Sequence, residues 1–343
     1  MDLISVIIPV YNVADYISDC LDSVVNQTYA PLDVIVIDDG STDGSGEICD
    51  RYAAAHEEIR VVHQDNRGIS GARNAGVEIA SGSYIVFIDG DDYIHPDMIR
   101  IMHEAAVLSG LPYLRCGYIT TSETRNSFVW PSIPKCSAPP VRSVTSEKEM
   151  EDVLTDAEQS YVWAAIYETS LIRDLRFPEG YKYEDVLYIT QVLGMIPILG
   201  RVDLKLCAYV KRKGSITHSA VSTSALDFCH MMFLRSQAIS RSFPALSALS
   251  AERFIARTMN SYNALLKEGA SEAASVLKEK TTKDYLPHTS LSMILRDSSI
   301  PLYRKMIAAV CRVSFTAACR FKGMAVRLRK ALKGKHSGNS GIR

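Results

Sequence analysis

Four short apolar runs, residues 3–8, 33–37, 59–63 and 84–88, dominate the first ninety residues, each followed by turn residues and a stretch of helical periodicity. Their apolar character is continuous rather than alternating, so both faces of the strands must be covered. A repeat of strand, turn and helix predicts an α/β fold with a mostly parallel sheet and helices on both faces. Ligands of such sheets gather beyond the carboxyl ends of the strands. At 343 residues the chain has room for this sheet and an appendage, and 47% hydrophobic against 22% charged residues excludes global disorder.

The strand ends are chemically loaded. They read Pro9-Val10-Tyr11-Asn12, Asp38-Asp39-Gly40-Ser41-Thr42-Asp43, Asn66-Arg67-Gly68 through Arg73-Asn74, and Asp89-Gly90-Asp91-Asp92. Three carboxylates crowd the last of these, and a cluster that repels itself at neutral pH is most simply neutralised by a divalent metal. Hard oxygen ligands suit Mg2+ or Mn2+. Asp39 can accept a hydrogen bond from a base imide or a ribose hydroxyl, and Tyr11, presented by the stiff Pro9, can stack on a heterocycle. Arg67 and Arg73 flank a glycine-rich turn at a helix start, where guanidinium and backbone N–H groups suit anionic oxygens. Taken singly, each has a plain alternative: turn and cap residues, a surface tyrosine, solvated arginines, an acidic turn. Convergence on one sheet edge is what favours a site.

These segments, in this order and spacing, resemble the inverting glycosyltransferases of family 2, which have the Rossmann-like GT-A fold. The segments that carry the resemblance are Ser5 to Asn12, Asp38 to Asp43, Gly71-Ala72-Arg73-Asn74-Ala75-Gly76 and Asp89 to Asp92. The resemblance implies a nucleotide-diphosphate-sugar donor, in this family most often a UDP-sugar, with Tyr11 on the base, Asp39 hydrogen-bonded to it and Arg73 near the nucleotide. It assigns Asp89 to the ribose side and Asp91 to the metal, Mn2+ or Mg2+, that bridges the diphosphate. Asp92 either holds the loop or approaches the sugar. Phe177-Pro178-Glu179-Gly180-Tyr181-Lys182-Tyr183-Glu184-Asp185 looks like the family's Glu-Asp motif, which implies Asp185 as the base, with Glu184 supporting. An acceptor hydroxyl must lose its proton as it attacks, so a carboxylate within reach has work there. The segment Tyr209 to His218 resembles the family's basic loop, in which His218 is a further metal-ligand candidate and the basic residues a diphosphate clamp. The likeness covers residues 3–220 and implies an acceptor that is a growing surface polysaccharide or a lipid-linked oligosaccharide.

The organisation expected is therefore a nucleotide-sugar half at 1–110, an acceptor-binding and catalytic half at 111–225, a helical C-terminal extension at 226–297 and a basic amphipathic segment at 298–343. A capped helix is signalled at Ser146-Glu147-Lys148-Glu149. From Ser298 onward every charged residue is Lys or Arg, although the whole chain has a net charge of only -1. Leu302, Met306, Val310, Val313, Ala317, Phe321, Met324, Leu328 and Leu332 recur at three- and four-residue steps through this segment. An apolar stripe among basic residues fits a helix on an anionic membrane surface, or one that packs on the protein while its cations stay solvated. Nucleic acid is not expected as a partner. No basic leader and no apolar run of membrane-spanning length is visible, and eight scattered cysteines lack C-x-x-C spacing. The expectation is a cytoplasmic protein, peripheral on the inner face of the cell membrane. Two other readings stand beside the transferase: an aspartyl-nucleophile phosphatase, which also ends an apolar strand in D-x-D, and an inactive membrane-surface assembly subunit.

Overall fold

The computed structural model describes residues 1–133, 139–211 and 221–324. The chain divides between His218 and Ser219 into two compact units. Among the described residues, 226–297 and 298–324 belong to one unit.

The first unit alternates strand and helix as its sequence requires: β1 (Ile4–Val10), α1 (Ile17–Val25), β2 (Leu32–Asp38), α2 (Ser45–Ala55), β3 (Ile59–His63), α3 (Gly68–Ile79) and β4 (Tyr84–Phe87). There follow β5 (Tyr93–Ile94), α4 (Met98–Ser109), β6 (Tyr113–Thr121), β7 (Val141–Thr145), α5 (Ser146–Leu154), β8 (Ala165–Glu168), α6 (Thr169–Ile172), α7 (Glu184–Met195) and β9 (Ile198–Val210). All seven residues of β1 are buried, as a strand covered on both faces must be. Each buried Val or Ile contributes about 1.5–3 kcal/mol relative to exposure, so this run alone is a large share of the sheet's stability.

The strands form one sheet in the order β3-β2-β1-β4-β8-β6-β9-β5, with β7 also on β9. β1 to β4 are mutually parallel where they pair, β8 runs antiparallel between β4 and β6, and β9 is parallel to β6. The carboxyl ends of β1, β2, β4, β6 and β9 consequently share one edge with the amino end of β8. The two expected halves are thus one continuous sheet. Helix α3 lies close on it because residue 76 is glycine: a Cβ there would stand 2.4 Å from Ile7 Cγ2. The signalled helix at 146–149 is α5, and its cap is Thr145, whose hydroxyl accepts from the Lys148 N–H.

The second unit is helical: α8 (Val221–Ser242), α9 (Ser247–Lys267), α10 (Ser271–Lys280), α11 (Leu291–Arg296), α12 (Leu302–Val313) and helical turns at 315–324. Phe254, Met259, Leu265, Leu277, Ile294 and Phe315 are buried in it. The C-terminal helical stretch seats Ile307, Ala308, Cys311, Ala318 and Cys319 inward. The stripe read from the sequence is therefore the other face. Leu302 is 73% exposed, Met306 47%, Val313 89% and Met324 53%. Leu328 and Leu332 lie outside the described residues. No helix among the described residues is long and apolar enough to cross a membrane, and the seven cysteines described are free and buried.

Candidate active site

The loops after β1 and β2 are laced together by side chains acting on backbone. Asn12, in the left-handed region at φ 50°, accepts from the Thr42 N–H at 2.8 Å, and its own N–H donates to Ser41 Oγ. Ser45 Oγ accepts from Val13 N–H and Asp43 from Ala14 N–H, both at 2.9 Å. The result is a fixed ledge that presents Tyr11, 49% exposed, just past the buried Pro9. Asp38 is held by His63 Nδ1 at 2.8 Å and by the Ser41 N–H. Asp39 is buried, and its Oδ1 accepts from Gln64 Nε2 at 2.6 Å and from the Arg67 N–H at 2.9 Å. Of this acidic pair, Asp38 is the structural member.

Arg73, expected near the nucleotide, is held by ion pairs within the protein. It lies within α3, 2% exposed, and is committed to two carboxylates: Nη2 donates to Asp89 at 2.7 Å and Nη1 to Glu184 at 2.6 Å. The guanidinium also stands 5.4 Å from the Phe177 ring centroid. Burial alone would push its pKa down, but the Asp89 and Glu184 charges outweigh this and push it up, so the side chain is a permanent cation at the centre of the site. The next residue, Asn74, clamps the segment leading to Glu184, donating to the Phe177 carbonyl at 3.0 Å and accepting its N–H at 2.8 Å. Arg67 forks onto Glu179 in the same segment at 2.8 and 3.0 Å. Asn74, Phe177 and Glu179 were not singled out as site residues in the sequence, because each acts on a partner more than a hundred residues away.

Loop 88–92 spans from β4 to β5, which pairs with β9. Gly90 is required by close approach, since a Cβ there would lie 3.0 Å from the Pro9 carbonyl oxygen. Asp92 is buried and accepts the Val210 N–H at 2.8 Å, so it holds the loop to β9. Between Asp92 and the Arg73-bound Asp89, Asp91 is half-buried at the sheet edge. Among the described residues no set of three or more His, Cys, Asp or Glu side chains is arranged to hold a metal. Lys211 donates its N–H to the Thr121 carbonyl, and the remainder of the basic loop, including His218, lies outside the described residues.

Tyr183, in the left-handed region at φ 64°, turns the chain into α7, so that Glu184 and Asp185 open the helix. Glu184 takes the arginine. Asp185 Oδ1 instead accepts its neighbour's N–H, that of Val186, at 2.8 Å. Burial first, then the adjacent Glu184 charge, push the Asp185 carboxyl up to about 7, against the opposing pull of Arg73. A carboxylate whose affinity for a proton matches neutral pH is suited to general base work.

Residues 5–140 match the family model described as Glycosyl transferase family 2. The chain is 36% identical over 189 residues to the uncharacterized glycosyltransferase EpsJ of Bacillus subtilis (strain 168), covering 53% of this chain and 53% of that protein. It is 34% identical over 140 residues to the chondroitin synthase of Pasteurella multocida (strain Pm70), covering 39% of this chain and 14% of that one. The aligned region thus spans about half the length of the first relative and less of the second. Among solved structures, S. aureus TarS 1–349 in complex with UDP-GlcNAc superposes with a TM-score of 0.73 at 20% identity, over 93% of this chain and 90% of that one. At that identity the likeness concerns the fold.

The Asp185 environment makes a prediction that needs no substrate. Its folded-state pKa lies above the unfolded value of about 3.9, so the folded state holds a proton that the unfolded state releases. This stabilisation is complete below about pH 4 and is lost as pH rises through about 7. Asp185→Asn, which never ionises, should melt higher than the parent at about pH 8, with the gap narrowing toward about pH 4.5. A gap independent of pH in thermal unfolding would contradict the assignment.

Proposed function

Because residues 5–140 form a family 2 glycosyltransferase domain and the chain has the GT-A fold, we propose that the protein moves a sugar from a nucleotide-diphosphate-sugar to an acceptor hydroxyl, with inversion at the anomeric carbon. The observation that carries the reading is the Arg73 bridge, which joins a donor-side carboxylate, Asp89, to the helix start that bears Asp185. Tyr11 and the remaining Asp39 oxygen receive the base, and Asp89 faces the ribose side. The binding of UDP-GlcNAc by TarS favours a UDP-sugar donor. The chondroitin synthase relative favours a growing polysaccharide or lipid-linked oligosaccharide as acceptor. The Asp89-Asp91-Asp92 strand end is read here as a diphosphate anchor, and the phosphatase alternative falls with the family match.

In the reaction, Asp185 takes the proton from the acceptor hydroxyl while that oxygen forms a bond to the anomeric carbon, from the face opposite the diphosphate. The bond from that carbon to the diphosphate oxygen breaks, and the electron pair leaves with the nucleoside diphosphate. Arg73 fixes Glu184 by its ion pair, which holds Asp185 in register with the acid loop. Asp91, together with the donor's phosphates, would hold Mn2+ or Mg2+, which when bound neutralises the charge of the departing diphosphate.

The exposed stripe of the C-terminal helical stretch supports a peripheral location on the inner face of a cell membrane. Its inward positions are already filled, and the outward Leu302, Met306, Val313 and Met324 share their segment with Lys and Arg but with no acidic residue.

Two measurements test these readings. Donor hydrolysis across UDP-, GDP- and dTDP-sugars with Mn2+ should fall by about a hundredfold or more in Asp91→Ala at unchanged melting temperature; undiminished hydrolysis would remove the metal assignment. The full chain should sediment with vesicles containing anionic phospholipid and be released by salt, whereas Val313→Glu should bind several-fold more weakly, roughly in line with about 1–2 kcal/mol of lost apolar burial. Equal binding to neutral vesicles, or no effect of the substitution, would contradict membrane attachment through this face.

A further inference from the structure

A column of planar side chains stands at the same sheet edge, on the β6 and β9 side of the acid loop. Arg115 Cζ lies 4.4 Å from the Tyr161 ring centroid, Tyr161 stacks on Trp163 at 4.7 Å and 23°, and Trp163 stacks on Tyr209 at 5.7 Å and 10°. Tyr118 meets Trp163 edge-on at 4.9 Å. The inner end is rigid, because Arg115 is buried and paired with Glu149 at 2.5 Å and Glu158 at 3.4 Å. It also lies on the face that carries α7: Tyr113, two residues earlier in β6, pairs with Tyr167, and Phe87 packs against Tyr167, Phe177 and Tyr188. The outer end comes within reach of the acid loop, since Tyr209 directly precedes Val210, whose N–H binds Asp92.

Tyr161 is buried, but Trp163, Tyr118 and Tyr209 are only half-buried. Aromatic rings that are stacked, anchored at one end and open to solvent at the other present a flat, rigid, amphipathic surface at low entropic cost. The matching ligand is a pyranose, whose axial C–H bonds form an apolar face ringed by hydroxyls. The nucleotide side of the site lies at the β1 and β2 ends with Tyr11 and Asp39, on the opposite flank of loop 88–92. A glycan seated on this column would therefore approach the acid loop from the side away from the nucleotide.

We propose that Tyr209, the outer ring of the column, backed by Trp163 and flanked by Tyr118, forms an acceptor subsite that stacks a pyranose ring of the receiving glycan and sets the specificity for it. The inference rests on the glycosyltransferase reading. Stacking on this one supported ring should be worth up to about tenfold in affinity.

The test is retention of the full chain, with UDP and Mn2+, on an array of gluco-, galacto- and N-acetylhexosamine oligosaccharides, alongside calorimetric binding of UDP, GDP and dTDP. The wild type should be retained by at least one glycan family. Tyr209→Ala and Trp163→Leu should each lose up to about tenfold of that retention while nucleotide affinity stays within about twofold, and Tyr209→Phe, which keeps the ring, should keep binding. Retention by no glycan, or equal retention by both truncated variants, overturns the subsite. So does a loss of glycan and nucleotide binding together. A wild type that binds none of the three nucleotides would remove the glycosyltransferase reading itself, and the subsite with it.

Discussion

The buried Arg73 guanidinium is the interaction on which the rest of the site depends. A cation that is 2% exposed is tolerable only when its charge is matched at close range, and here Asp89 and Glu184 match it at 2.7 and 2.6 Å. One carboxylate follows β4; the other begins α7, 95 positions further along the chain. Removing the arginine would leave the buried Glu184 carboxylate without this cation, at a cost of about 3–5 kcal/mol. The chain is therefore obliged to bring β4, α3 and α7 together. The approach is made possible by Gly76, which lets α3 rest on Ile7, and is reinforced by Asn74, which clamps Phe177.

The same bridge divides labour between adjacent acids. Glu184 receives the arginine and serves structure. Asp185, next to it, has the desolvation of a protein interior and a neighbouring negative charge, which outweigh the pull of Arg73, so its proton affinity rises. In the acid loop, Asp89 is tied to Arg73 and Asp92 to the β9 backbone, with the half-buried Asp91 between them. Two fixed carboxylates thus hold a third in position, an arrangement suited to an ion whose remaining ligands arrive with the substrate.

Much of this was legible in the sequence, for identifiable reasons. Continuous apolar runs located β1 to β4 within a few residues, because strands covered on both faces leave no other pattern. The polar residues at their ends signalled a site because parallel topology gathers those ends. What could not be read were pairings over long separations: Arg73 with Glu184, Asn74 with Phe177, β8 running antiparallel between β4 and β6, and the stacking of Tyr161, Trp163 and Tyr209. The motif pointed to Arg73, but its two carboxylate partners appear only in the fold. The C-terminal stripe shows a different limit. Its helical period holds within α12, but the helix breaks at Ser314 and carries two apolar faces, and only packing reveals that Ile307, Ala308 and Cys311 point inward while Leu302, Met306 and Val313 remain outside.

The central claim, that one buried cation holds the base-bearing segment to the donor side, is tested most directly by hydrogen exchange on Arg73→Met, which keeps the apolar stem and removes the charge. The account predicts exchange at least about tenfold faster through residues 177–190, with the amides of β1 and β2 still protected. Unchanged exchange in 177–190, or an equal loss of protection through β1 and β2, would contradict it.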